Sequence, residues 1–145
     1  MHQQHGRCLC GSVHFTISAP AVATRVCWCR DCQHIASNGT VNLIVPTSAI
    51  EITGALSEYV KTAASGNLIN CRFCPKCGSH LFATSSARPQ FTGVRAGNLD
   101  QPSEIQPSMN IWTDSAPSWA CLNPLLEQVQ QQPAPPPPLT VKVSE

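Results

Sequence analysis

The sequence predicts a mostly β fold of antiparallel sheets, pinned by knuckles of closely spaced cysteines and carrying one or two short helices. Three observations support this. Short runs alternate apolar with polar residues, Pro, Gly, Ser and Asn punctuate them, and eight of the nine cysteines fall into three tight clusters. The clusters are Cys8-x-Cys10-Gly11, Cys27-x-Cys29-x-x-Cys32 and Cys71-x-x-Cys74-x-x-Cys77-Gly78.

The first strand is expected at 12–18, where Val13, Phe15 and Ile17 share one face and polar residues the other. Similar β-rich runs follow at 40–45, 50–53, 57–61, 68–73, 80–84 and 91–96, separated by breaks such as Pro46, Gly54 and Gly66-Asn67. One helix is expected at 30–37, starting inside the second cluster and stopping before Asn38-Gly39. A second is expected at 125–131. Beyond it, the proline-rich stretch from Gln131 to Pro138 reads as an extended, solvated tail. The domain division is therefore 1–128 as one cysteine-knuckle domain and 129–145 as a disordered tail.

A chain of 145 residues suffices for a single core. Its net charge of +1, with nine scattered Lys and Arg, gives no basic patch, so neither nucleic acid nor membrane is expected as a partner. The opening residues carry no basic-then-apolar leader, and no run approaches the ~20 apolar residues of a membrane span. A cytoplasmic location follows as an expectation. In that reducing compartment, such cysteine spacings favour metal over disulfides, and zinc above other metals.

Two zinc ions per chain are expected. Cys8 and Cys10 with Cys74 and Cys77 supply two half-tetrahedra, and a glycine after each pair frees the backbone to turn its amides toward sulfur. They make a closed, structural four-thiolate site. Cys27, Cys29 and Cys32 remain as a local trio with one coordination position open, which is what chemistry at a metal requires. Two alternatives stand beside this partition: Cys71 closes the second site, or Cys71 completes the first with Cys74 or Cys77.

With these motifs in place, the chain resembles the glutathione-dependent formaldehyde-activating enzyme family, which also contains centromere protein V. The resemblance spans about 8–119. It is carried by Cys8-x-Cys10-Gly11-x-Val13-x-Phe15, by the second cluster, by Phe73-Cys74-Pro75-x-Cys77-Gly78-Ser79, by Ala96-Gly97-Asn98-Leu99-Asp100, and by Ile111-Trp112 before Pro117-x-Trp119. It implies a β-tent fold with zinc knuckles, a structural zinc on the first and third clusters and a catalytic zinc on the middle one. It also implies a carbon–sulfur lyase whose namesake reaction joins glutathione and formaldehyde. Trp28 stands where His is common, Cys71 where Arg is frequent, and Asn110 where His often precedes Ile-Trp.

The expected activity is zinc-dependent carbon–sulfur bond cleavage or thiol–aldehyde adduct formation on a small thiol, with glutathione one candidate. The alternative is a non-catalytic, zinc-stabilised binding module. His34, two residues after Cys32, is a candidate proton carrier, and a surface histidine otherwise. Trp28 either walls a substrate pocket or shields the sulfurs. Arg72 is the favoured carboxylate anchor, with Arg30 and Arg95 behind it. His80 reads as a strand histidine, Trp112 and Trp119 as core, and Cys121 as a small buried hydrophobe.

Overall fold

The computed structural model describes residues 3–136. Alternation of apolar and polar residues produces two sheets. The smaller has the order β1 (Gln4–Arg7), β2 (His14–Ile17), β5 (Ile50–Thr53), all antiparallel. The larger also contains β3 (Ala23–Cys27), β4 (Thr40–Pro46), β6 (Ser57–Thr62), β7 (Leu68–Phe73), β8 (His80–Ser85), β9 (Phe91–Arg95), β10 (Met109–Ile111) and β11 (Glu127–Gln128). Its spatial order is β11-β10-β3-β4-β9-β8-β7-β6. No helix among the described residues is long and apolar enough to cross a membrane.

Most neighbours in the large sheet are antiparallel, as the short connections require, but β10 runs parallel to both β3 and β11. The parallel pairings within this mostly antiparallel fold come from long connections. Residues 28–108 separate β3 from β10, and residues 112–126 separate β10 from β11, enough chain in each case to return to the same end.

The main core lies where the sheets face each other. Val13, Phe15 and Ile17 come from in and around β2; Leu43, Val45, Leu81, Phe82 and Val94 come from the large sheet. Phe15 meets Phe82 edge to face, with centroids 5.2 Å apart, the favoured geometry for an aromatic pair. The other face of the large sheet carries a polar row of Arg25, Asn42 and Arg95, paired across β3, β4 and β9.

One helix forms, α1 (Arg30–Ala36), as expected. The second does not. Residues 124–126 form a turn and the chain beyond is paired as strand: after the β11 pairing, the Val129 N–H donates to the Asn110 carbonyl at 2.9 Å and the Trp112 N–H to the Gln131 carbonyl at 3.2 Å. The segment has no helical apolar stripe. Leu125 is 91% exposed, and Val129 is the residue that packs inward, onto Cys27, Cys32 and Ile111. Strand pairing satisfies the outer edge of β10, which a helix there would leave open. Hydrogen bonding continues to Gln132, whose amide oxygen accepts from Trp112 Nε1 at 3.0 Å, past the expected boundary at 128. Residues 137–145 of the expected tail lie outside the described residues.

Candidate metal centres and an adjoining pocket

The first centre joins two turns that are distant in sequence. Cys8 and Cys10 lie between β1 and β2, Cys74 and Cys77 between β7 and β8, and all four Sγ atoms lie within 4.8 Å of one another. Cys8 and Cys10 are 3.6 Å apart and Cys10 and Cys74 3.8 Å apart. A zinc ion at about 2.3 Å from each sulfur sets tetrahedral thiolates about 3.8 Å from one another, so the donor set fits that metal. Gly11 and Gly78 adopt φ +80° and +75°, the left-handed turn that a side chain would strain.

Hydrogen bonds favour the thiolate forms of Cys77 and Cys8, whereas the thiol of Cys10 is raised. The hydroxyl and backbone of Ser79 hold Cys77 down to about 5. Burial pushes Cys8 up, but the Val13 N–H, 3.3 Å from its sulfur, and the Ser12 hydroxyl more than offset this and bring it to about 7. Thiolates are the forms that bind metal. Two cysteine groups able to hold a metal are thus present, this being the closed one.

The second centre is local. Cys27 ends β3, Cys29 caps α1, its Sγ accepting from the Cys32 N–H at 3.4 Å, and Cys32 lies in the first turn. The capping geometry explains the spacing: the cap and the first-turn residue face one another, and the end of β3 brings the third sulfur within 4.8 Å of both. Hydrogen bonds from Cys27 and then Cys29 hold Cys32 down to about 2, while bonds with Cys29 and then Cys32 raise Cys27. Thr40 Oγ1 also donates to Cys32 Sγ, at 2.9 Å, and accepts from Arg95 Nη1 at 3.0 Å.

Cys71 belongs to neither group. It lies on β7 between Tyr59 and Ala83 in register, and burial raises its thiol. Among the described residues the second centre has three cysteine sulfurs. Ile111, Met109, Trp112 and Val129 pack around it. Trp112 adopts φ +57°, a left-handed conformation rare for a bulky residue and costing on the order of 1–3 kcal/mol.

A pocket of about 440 Å³ adjoins this centre, lined by Ile35, Ala36, Thr40, His80, Arg95 and Asn98 among others. Thr40 is common to the pocket wall and the Cys32 sulfur. His80 is held by stacking on Phe73, with centroids 5.3 Å apart, and by the Asn98 amide, which donates to its carbonyl at 2.7 Å. Burial, reinforced by the charge of Arg95, lowers the His80 pKa. A smaller recess of about 280 Å³, beside His5, Asp100 and Glu104, contains no cysteine.

Several expected side chains lie elsewhere. Trp28 is buried but does not line the pocket; it packs under Gly39, where a Cβ would come within 2.9 Å of its ring. Arg72 places its guanidinium carbon 5.1 Å from the centroid of the Phe82 ring, a cation–π contact at the core. His34 is exposed in the last turn of α1 and outside the pocket lining. Trp119 and Cys121 are exposed rather than buried. Thr40 is the contributor that sequence reasoning missed; it joins His80, read as a strand histidine, Arg95, weighed behind Arg72, and Trp112, read as core. Strand alternation carried the available signal, since Thr40 is the register partner of Cys27 and Arg95 that of Asn42 two residues on.

A family model described as glutathione-dependent formaldehyde-activating enzyme matches residues 3–115. The crystal structure of a Rhodobacter sphaeroides protein matches the fold with a TM-score of 0.56 and 21% identity, covering 71% of this chain and 91% of that one.

Proposed function

Because the chain belongs to the glutathione-dependent formaldehyde-activating enzyme family, we propose that it is a zinc-dependent carbon–sulfur lyase or thiol–aldehyde adduct-forming enzyme acting on a small thiol. The observation that supports this most is the pairing of a closed four-cysteine group with a three-cysteine group beside a pocket. In this reading Cys8, Cys10, Cys74 and Cys77 hold a structural zinc, and Cys27, Cys29 and Cys32 hold the catalytic one. Zinc bound to the trio supplies an exchangeable position that lowers the pKa of a substrate thiol.

The remaining work falls to the chain itself. Thr40 hydrogen-bonds the Cys32 sulfur and fixes its orientation. Ile111, Met109 and Val129 exclude water from the trio. His80 borders the pocket next to Arg95, where its neutral ring accepts the proton of the adduct hydroxyl in the cleavage direction and the protonated ring so formed returns it to the adduct oxygen in the reverse direction. His34, exposed on α1, serves no step in this scheme.

The test is a zinc count by native mass spectrometry on the protein, Cys71→Ser and Cys29→Ser, alongside an assay of adduct formation from thiol and formaldehyde. Two zincs in the first two proteins, with Cys29→Ser losing both one zinc and turnover, is the expected result. A Cys29→Ser protein that lost zinc yet kept its activity would sink the scheme. Loss of a zinc from Cys71→Ser, or two zincs without turnover of any thiol, would favour the binding-module alternative.

A further inference from the structure

The large sheet ends at β6, and that edge is open. β6 runs six residues in unbroken register with β7, which is its only strand neighbour among the described residues. The other edges are shorter or closed. β11 has two residues and β5 four, and β1 is closed at Gly6 by the bridge to Leu99, with the Asp100 N–H donating to the His5 carbonyl at 2.9 Å. β6 contains no proline and no bulge against β7, and Glu58 through Thr62 are all exposed. Long, uncovered edges of this kind recruit further strands.

The hydrogen-bond phase of the edge follows from the hairpin that joins β6 to β7. The Ala63 N–H donates to the Asn67 carbonyl at 2.8 Å, so these two face one another as a bonded pair. Alternation then makes Lys61 with Ile69, Tyr59 with Cys71 and Ser57 with Phe73 bonded pairs as well. Leu68 agrees with this phase, since its N–H and carbonyl engage Ser86, just beyond β8, rather than β6. The backbone N–H and C=O groups of Glu58, Val60 and Thr62 therefore point outward from the sheet.

We propose that β6 is a dimerisation strand, pairing antiparallel with β6 of a second copy of this chain about a two-fold axis at Val60. An axis normal to a sheet keeps each face on its own side, so only registers that set like-facing residues opposite one another are allowed. The register centred on Val60 sets Val60 against Val60 and Glu58 against Thr62, and so pairs every outward-facing group of the edge. Centring on Tyr59 would instead place Thr62 beyond the start of the partner strand.

The side chains suit the same register. On one face Tyr59, 62% exposed, lies opposite Lys61 of the second copy, an aromatic–cation pair made twice. On the other face Val60, 51% exposed, meets Val60 of the second copy, with exposed Leu68 beside it, opposite Thr62 on β7. A lysine ordinarily defends an edge by its charge. Here Lys61 is ion-paired with Asp31 of α1, so each copy brings a neutralised lysine to the axis. The two Glu58 carboxylates stand four residues of strand apart, about 13 Å, beyond the screening length at physiological salt.

The experiment is sedimentation of the whole, metal-loaded chain over a concentration series, with amide hydrogen exchange on the same samples. Association with a Kd of roughly 1–100 µM is expected for a small interface, and the amides of Glu58, Val60 and Thr62 should become protected as the dimer fills. Val60→Lys sets two ammonium groups opposite one another at the axis and should weaken dimerisation at least about tenfold, an effect that salt relieves. Val60→Pro removes an outward N–H that the monomer does not use, so the chain should fold while the dimer is lost. A protein still monomeric at about 1 mM would overturn the proposal. So would a dimer that withstands both substitutions, since its interface would lie elsewhere. Protection of the three amides that is unchanged on dilution to monomer would overturn it too, because the chain itself would then cover the edge.

Discussion

Thr40 Oγ1 lies 2.9 Å from Cys32 Sγ and donates its hydroxyl hydrogen to it, while accepting from Arg95 Nη1 on the other side. One hydroxyl thus ties a strand, a helix and a half-buried arginine to a single sulfur. Replacing Thr40 with Val keeps the shape and removes both bonds. We expect about 1 kcal/mol of stability to be lost and metal affinity at the trio to fall roughly tenfold. Competition with a chromophoric chelator measures the second effect, and Thr40→Ser should largely retain it.

The two centres should respond differently to loss of a ligand. Cys74 is fully buried where the turns before β2 and β8 meet, so Cys74→Ser removes a cross-link that shapes the fold. A loss of about 3 kcal/mol or more is expected, roughly 10 °C in melting temperature at this chain length. Cys29→Ser, at the edge of a local trio, should lower the melting temperature by much less. Calorimetry of both variants with their metal counts checks the contrast.

Acidification bears on His80. Its pKa is lowered from the ordinary 6.5, first by burial and then by Arg95, so the fold favours the neutral ring. The stabilisation this represents is present above pH 6.5 and is lost as pH falls through the folded value. Titration followed by NMR should show His80 protonating at lower pH than a free histidine. Arg95→Met should move it upward, and an unmoved titration would contradict the assigned cause.

Gly39 is a question of space. A Cβ there would lie 2.9 Å from Cε2 of Trp28 and 3.1 Å from Cγ1 of Val26, with both side chains packed. Gly39→Ala should therefore cost about 1–3 kcal/mol. Gly97 has nothing within 4 Å, and Gly97→Ala should be nearly neutral. Denaturant unfolding of the pair gives the difference.

Val129 reaches from the segment beyond β11 onto Cys27, Cys32 and Ile111. Val129→Asp sets a carboxylate against thiolates and removes apolar cover. Metal at the trio should then be stripped by chelator at least about tenfold faster, with the four-cysteine centre unaffected. Equal stripping rates at the trio would show that Val129 is no barrier.

Much of this was legible in the residues. Strict alternation at 12–18 put Val13, Phe15 and Ile17 inside, and cysteine spacing separated a four-sulfur group from a trio. Spacing could not tell where Cys71 points, because a strand alternates its side chains and the register of β7 against β8 shifts between Arg72 and Phe73. The helix expected at 125–131 failed because pairing with β10 is a long-range preference that local composition does not record. Thr40 went unrecognised, and His80 and Arg95, though named, could not be placed together, for the same reason: a sheet assembles them from separate strands, and none is near another in sequence.

The position of β10 and its neighbours sets an order for biosynthesis. All four cysteines of the first group have been made once residue 77 has been added, and the sheets can be joined there while the rest is still being translated. The trio is translated earlier than half of that group, yet Ile111, Trp112 and Val129, which cover it, come more than eighty residues behind Cys27. The three sulfurs therefore lack that cover for most of translation, open to oxidants and to whichever metal is nearest. Faithful loading of the second centre is thus as much a matter of cellular thiol and metal supply during synthesis as of the finished fold.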